Sequence, residues 1–118
     1  MKYALLCYET ADNFAARTDA KRKDAFWADL GHYMKALTDA GVMAGGAGLQ
    51  PPETATTLRY RGEERLVQDG PYPETKEQLG GFFIVEVSDL DAAMEWAARF
   101  PRLPGRVIEV RPVLPPLE

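Results

Sequence analysis

Two segments of this chain have the pattern of a strand that is apolar on both faces, and this pattern most limits the folds open to it. The first segment covers residues 2–8 and the second covers residues 81–87. Side chains alternate between the two faces of a strand, and both alternating sets are apolar in each segment. A strand that is covered on both faces lies in the middle of a sheet. We therefore expect a sheet with these two strands at its centre.

Each of these two strands is followed by a segment with helical character. In residues 19–40, apolar residues recur at spacings of four, three and four, which places them on one helix face: Phe26, Leu30, Tyr33 and Leu37. The preceding residues 9–18 are predicted to form a polar connection. A second helix is predicted to begin at Ser88, as its N-cap, and to end before Pro101. Its predicted buried stripe is Leu90, Ala93, Met94 and Ala97.

The remaining segments add shorter strands. Strand patterns cover residues 42–50, 54–60, 64–68 and 106–113, and a turn joins the middle two into a hairpin. The chain order is then βα, a run of β elements, and αβ. This order is typical of an α+β fold, the ferredoxin-like split βαβ sheet, here with an extra β-hairpin. The length of 118 residues fits a single domain that covers residues 1–118.

The predicted topology leaves one face of the sheet without a helix. Both helices lie on the same face, because the crossovers are right-handed. The other face then presents either Leu5 or Leu6, and either Phe82 or Phe83. A large apolar sheet face is rarely left in water. We therefore predict a homodimer in which the open sheet faces of two copies close into a dimeric α+β barrel.

Composition argues against several classes of function. The net charge is −4 and basic residues are scattered among acidic ones, which is unlike a surface that binds nucleic acid directly. Cys7 is the only cysteine and His32 the only histidine, so we expect no metal site and no cofactor. Cys7 is predicted to be a buried thiol, and His32 to lie on the polar side of its helix. No apolar run is long enough to cross a membrane, and we expect a cytoplasmic protein.

The connection at residues 69–81 is longer and more charged than a hairpin needs, and binding groups concentrate in loops. Asp69 is predicted either to act in acid/base chemistry or to accept backbone hydrogen bonds in an Asx turn. Tyr72 and Lys76 are candidates to hold an anionic oxygen of a substrate, although such a charged run is also typical of a solvated loop. The double glycine at the end is expected to let the strand bend or approach its neighbour.

The same segment resembles the signature of the DGPF proteins, a branch of the YCII-related family. The matching residues are Asp69, Gly70, Pro71, Glu74, Lys76 and Glu77, and Tyr72 stands where the motif has phenylalanine. The resemblance extends over nearly the whole chain and implies the dimeric barrel. It also implies a connection with extracytoplasmic-function sigma factors, beside which the branch is often encoded. The histidine of a histidine–aspartate pair found in many relatives falls on Leu30, so that pair is not carried over.

Two classes of function stay open at this point. In one, the dimer binds a small molecule without catalysis, in a pocket between sheet and helix lined by Tyr8, Trp27 and Phe82. In the other, it is a cofactor-free enzyme that acts on a small aromatic or enol-like substrate, with Asp69 as the proton shuttle. The absence of a well-placed histidine favours the binding protein, because an aspartate needs a raised pKa to transfer protons near neutrality.

Overall fold

The computed structural model describes residues 1–116, which form six strands and three α-helices. Their order is β1 (Lys2–Glu9), α1 (Ala11–Ala16), α2 (Lys23–Asp39), β2 (Met43–Gly48), β3 (Thr56–Arg61), β4 (Glu64–Asp69), β5 (Gln78–Glu86), α3 (Leu90–Ala98) and β6 (Val107–Pro112). A single 3₁₀ turn, Pro52–Thr54, lies between β2 and β3.

The main sheet has the strand order β2-β5-β1-β6, and every neighbouring pair is antiparallel. The two doubly apolar strands, β1 and β5, are its central pair, as predicted. Strands β3 and β4 form a separate two-stranded hairpin. This is the order of a split βαβ sheet with one inserted hairpin, which confirms the predicted α+β class and is consistent with a ferredoxin-like fold.

The two faces of the main sheet differ in their cover. Along β1, the side chains of Tyr3, Leu5 and Cys7 are buried beneath the helices. The alternate set is half-buried and faces the other way. The register pairs Leu6 with Phe82 and Ala4 with Ile84, so these four side chains share the face that no helix of residues 1–116 covers. We call this the open face.

Helix α2 packs on the covered face through its C-terminal half. Leu37 is fully buried, and the ring of Tyr33 makes edge contacts with Phe83, Trp96 and Phe100 at centroid distances of 5.7, 6.4 and 4.9 Å. The Tyr33 hydroxyl donates a hydrogen bond of 2.8 Å to the Trp96 carbonyl oxygen. The two earlier members of the predicted stripe are only half-buried. The N-terminal half of α2 therefore stands away from the sheet.

Three local predictions need correction. Residues 9–18 are not a plain connection, because they contain α1, whose N-cap Thr10 accepts a hydrogen bond from the Asn13 amide. Six residues are too few to show a helical period. The N-cap of α3 is Asp89 and not Ser88, since the Asp89 carboxylate accepts a hydrogen bond of 2.9 Å from the Ala92 amide. Both residue types favour this position, so composition alone does not separate them.

The third correction concerns the buried side of α3. Leu90 and Met94 are each 50% exposed, whereas Ala93 is fully buried and Trp96 joins the core beside Phe100. The helix is therefore turned relative to the predicted stripe, because the Tyr33 ring docks against Trp96 and Phe100. His32 is exposed and Cys7 buried, as expected. Within residues 1–116, no helix combines the length and the apolar character that crossing a membrane requires.

Candidate functional site

A groove of about 1140 Å³ lies between α2 and the edge of the sheet formed by β2 and β5. Its volume lies slightly above the usual range for small-molecule sites, which ends at about 1,000 Å³. The α2 side presents mainly apolar side chains: Phe26, Trp27, Leu30 and Met34. The indole Nε1–H of Trp27 donates to the Arg17 carbonyl oxygen at 3.0 Å, which fixes the ring at the groove wall.

The opposite side of the groove is open because several positions of the sheet there are glycines. Gly46 pairs with Phe83, and Gly48 pairs with Gly81, at positions that face the helices. A Cβ at Gly48 would meet nothing within 4 Å. A Cβ at Gly46 would lie 2.5 Å from the Phe82 carbonyl oxygen, so this glycine also allows β2 to approach β5. The glycines that mark β2 in the sequence therefore create the space beneath α2.

A buried ion pair closes one end of the groove. Arg106 donates to both carboxylate oxygens of Glu9, from Nε at 2.7 Å and from Nη2 at 2.6 Å. The side chains of Glu9 and Arg106 are only 2% and 7% exposed. The guanidinium also donates to the Pro101 carbonyl oxygen and lies 4.9 Å from the Phe100 ring centroid. The two hydrogen bonds between Arg106 and Glu9 make the pair bidentate, and bidentate arginine–carboxylate pairs are among the stronger ion pairs in proteins.

A second guanidinium, that of Arg17, lies beside this pair, and no carboxylate of residues 1–116 forms a salt bridge with it. Its Nη1 donates to the Leu49 carbonyl oxygen at 2.5 Å, and its Nη2 donates to the Gly80 carbonyl oxygen at 3.0 Å. The guanidinium is 4.9 Å from the Phe14 ring centroid. Among residues 1–116, Arg17 Nε is buried and has no hydrogen-bond partner. Burial lowers the pKa of this guanidinium, because the charged form has lost water.

A β-bulge at Gly80 makes room for this charged cluster. The β1–β5 register shifts between Cys7 and Tyr8, which leaves Gly80 as the additional residue on β5. A Cβ at Gly80 would lie 2.9 Å from Glu9 Cγ and 3.2 Å from Arg17 Nη2. This confirms the prediction that the double glycine lets the strand bend or approach its neighbour. The bulge also shows that the Glu9 side chain and the Arg17 guanidinium are close neighbours.

Cys7 faces the same end of the groove as a neutral thiol. Burial, followed by the nearby Glu9 carboxylate, raises the pKa of Cys7 to about 12. A thiol with so high a pKa has almost no thiolate at neutral pH, so Cys7 is not a nucleophile there.

The raised pKa of Cys7 predicts a loss of stability at alkaline pH. The unfolded thiol ionises near pH 9, while the folded thiol stays protonated, so stability is complete below about pH 9 and falls as pH rises towards 12. The unfolded thiol is only partly ionised at pH 8.5 and almost fully ionised at pH 10, so this group should lower the free energy of unfolding by about 1.2 kcal/mol in total over that range. Urea titrations between pH 8.5 and 10 should show this fall, and it should be absent in Cys7→Ala. An equal fall in the two proteins would contradict the assignment.

Comparison with known proteins places the chain in a family. The model of the YCII-related domain matches residues 1–116. The chain belongs to the YCII-related family. It is also similar to an uncharacterised protein of Rhizobium meliloti strain 1021, with 35% identity over 97 residues that cover 82% of this chain and 77% of that protein. This relative is itself described as uncharacterised, so the chemistry of the YCII-related protein has to be argued from its own residues.

The YCII-related protein brings only some of the predicted site residues together. Trp27 and Lys76 line the groove. Phe82 borders it next to Phe83, but its place in the strand alternation turns its side chain to the open face, opposite Leu6. Tyr8 also lies on the open face, where its hydroxyl donates to Glu109 at 3.2 Å. Of the three residues predicted to line one pocket, Trp27 and Phe82 border this groove, whereas Tyr8 does not, because successive strand residues point to opposite faces.

The two other candidates lie outside the groove. Asp69 is exposed at the end of β4, and Tyr72 is 67% exposed in the following loop. That loop reaches the groove only at Thr75 and Lys76. The Gln78 side-chain amide organises it by donating to the carbonyl oxygens of Pro73 and Thr75. The proline-stiffened signature segment thus delivers a lysine to the mouth of the groove.

The sequence analysis does not predict the charged cluster formed by Glu9, Arg106 and Arg17. Glu9 follows Tyr3, Leu5 and Cys7 at spacings of two, so strand alternation puts it on their face, and both faces of this strand are predicted to be covered. A carboxylate on a buried face requires a cationic partner. The sequence carries no comparable signal that this partner is Arg106, 97 residues further along, or that Arg17 lies beside the pair.

Proposed function

We propose that this YCII-related protein is a homodimeric binding protein for a small apolar molecule, which it holds in the groove between α2 and the β2–β5 edge. The observation that carries the proposal is the groove itself. It combines a volume of about 1140 Å³ with an apolar helix wall and a sheet side kept bare by glycines. Those glycines have no side chains to pack beneath α2, and a ligand in the groove would supply the missing contacts.

Homodimerisation is supported by the large accessible surface area of the single chain. The accessible surface is 8323 Å², whereas a compact monomer of 13.1 kDa exposes about 6400 Å². The excess is roughly twice the 800 Å² that each partner buries in a standard interface. The radius of gyration of 16.2 Å also exceeds the roughly 13.5 Å expected for this length. A second copy seated on the open face would form the α+β barrel.

The inserted hairpin supports the same proposal. Strands β3 and β4 leave Leu58, Tyr60 and Val67 exposed by 50%, 64% and 60%. The register places Leu58 opposite Val67 on one face of the hairpin, beside Tyr60. A two-stranded sheet is only marginally stable unless it packs against something else. We propose that the partner protomer provides part of that packing.

Binding is favoured over the alternative of acid/base catalysis by the state of the carboxylates. Both oxygens of Glu9, the carboxylate at the end of the groove, accept hydrogen bonds from Arg106, so the carboxylate is already engaged by a protein group. Asp69 is exposed and does not line the groove. If the protein were a cofactor-free enzyme with Asp69 as the proton shuttle, its substrate would have to extend out of the groove, past Lys76, to reach Asp69.

Two further parts of the proposal rest on the sequence of residues 69–77. Membership of the DGPF branch rests on the six matching signature residues, with Tyr72 as the departure. An association with an extracytoplasmic-function sigma factor follows from that resemblance. It would involve protein–protein contact and not direct binding of nucleic acid, in keeping with the net charge of −4.

Filling the groove tests the proposed binding directly. Gly48→Leu places a side chain where a Cβ meets no atom within 4 Å, and Gly48 does not have a left-handed backbone. The variant should fold and should bind anilinonaphthalene sulfonate at least about tenfold more weakly than the wild type, by fluorescence titration. Gly31→Leu is the matched control, because it adds the same side chain in open space outside the groove. Equal affinity in all three proteins would contradict groove binding.

A further inference from the structure

The closed end of the groove carries one more positive charge than negative charge. Glu9 neutralises Arg106 through two hydrogen bonds, and the Cys7 thiol is protonated. Within residues 1–116, the charge of Arg17 is therefore not balanced by a carboxylate bound to it. A guanidinium has five N–H donors. Two bonds to carbonyl oxygens engage Arg17, and its buried Nε has no partner among residues 1–116.

We propose that Arg17 binds the carboxylate of a flat, apolar monoanion, such as an aromatic acid, that occupies the groove. This inference rests on the proposed function and names the chemical class of its ligand. Arg17 is half-buried, and a cation that has lost part of its water without gaining a counter-ion is costly. A ligand carboxylate would reduce that cost. Guanidinium and carboxylate are both planar and match each other's hydrogen-bonding geometry.

The surroundings of Arg17 favour an aromatic body for the ligand. The guanidinium lies 6.0 Å from the ring centroids of both Phe26 and Trp27, which make an edge contact with each other. These rings lead from Arg17 along the apolar wall of the groove. A ligand ring can pack against them while its carboxylate reaches the guanidinium.

The same surroundings limit the charge of the ligand to one. The Glu9 side chain lies beside Arg17, since Glu9 Cγ and Arg17 Nη2 are 2.9 and 3.2 Å from the same point, where a Cβ at Gly80 would lie. The Glu9 carboxylate repels a second negative charge in a site where the surrounding protein weakens screening. A carboxylate monoanion balances the cluster, whereas a phosphate dianion would leave a net negative charge. Lys76 at the mouth is too exposed to offset that excess fully.

Calorimetric titration of the dimer with a matched pair of probes tests this inference. Naphthoate should bind roughly 10- to 100-fold more tightly than naphthylmethanol, which has the same ring system without the charge. In Arg17→Met, naphthoate should lose this advantage, while naphthylmethanol should keep its affinity. Arg22→Met is the matched control, because Arg22 is an exposed arginine that pairs with Asp12 and Asp19 outside the groove.

The outcomes of these titrations separate a failure of the Arg17 inference from a failure of groove binding. Equal affinities for both probes in the wild type, with both lost in Gly48→Leu, would overturn the role of Arg17 and leave groove binding standing. Binding of neither probe would overturn both proposals. Naphthyl phosphate binding tenfold more tightly than naphthoate would overturn the assignment of a monoanion. The wild-type comparison requires no variant to fold, so it remains decisive if Arg17→Met is unstable.

Discussion

Glu9→Gln is expected to lower the free energy of unfolding by about 3–5 kcal/mol, which is a large fraction of the total stability of a domain. The substitution keeps the size and shape of the side chain, so it opens no cavity. It removes the charge that two guanidinium groups face in a site where the Glu9 side chain is only 2% exposed. The guanidinium of Arg106 would remain buried without a counter-ion. Urea denaturation at neutral pH measures this difference.

An exposed ion pair provides the control for this prediction. Lys35 and Asp39 form a pair of 2.6 Å on the surface of α2, with side chains that are 72% and 61% exposed. Asp39→Asn should change the free energy of unfolding by no more than about 0.5 kcal/mol, because solvent screens the pair. A loss below about 1 kcal/mol in Glu9→Gln would contradict the view that the cluster holds this end of the groove together.

Leu6→Asp is expected to convert the proposed dimer into a monomer. Leu6 pairs with Phe82 in the middle of the open face, so the proposed interface would bury the new carboxylate against apolar side chains. Burial of an unpaired charge costs several kcal/mol, which is enough to shift dimerisation by orders of magnitude. Sedimentation velocity should give roughly twice the chain mass of 13.1 kDa for the wild type, and the chain mass for Leu6→Asp.

Met94→Asp is the control for the dimer, because Met94 is half-exposed on α3, on the helix side of the sheet. This variant should remain a dimer. A wild-type protein that sediments as a monomer throughout the micromolar range would contradict the proposed barrel. So would a Leu6→Asp variant that retains the dimer mass.

The central strands were predictable because their signal is local. Two doubly apolar segments, each followed by a helical period, specify a split βαβ sheet with few alternatives. Which side of β1 meets the helices was not predictable, since Cys7 and Tyr8 are both acceptable in a core. That choice decides where Tyr8 lies, and the structure places it on the open face beside Glu109. Tyr8 is therefore separated from Trp27, which lines the groove on the helix side.

The groove depends on relations that no short segment contains. The sequence marks β2 as rich in glycine, but only its register with β5 shows that Gly48 and Gly81 face α2 together. Likewise, Glu9 and Arg106 lie at opposite ends of the chain and meet through the sheet order. Lys76 was predicted from the composition of its loop, and it does line the groove, whereas Asp69 from the same signature does not.

The measurement that tests groove binding most directly is a two-dimensional ¹H–¹⁵N NMR titration of the wild-type protein with naphthoate. We predict that the amide signals of Gly46, Gly48 and Gly81 will shift, together with the indole N–H signal of Trp27, because these groups surround the groove. The amide of His32, on the exposed side of α2, should not shift. Shifts confined to open-face residues such as Ile84, or no saturable shifts at all, would contradict the proposal that this groove is the binding site.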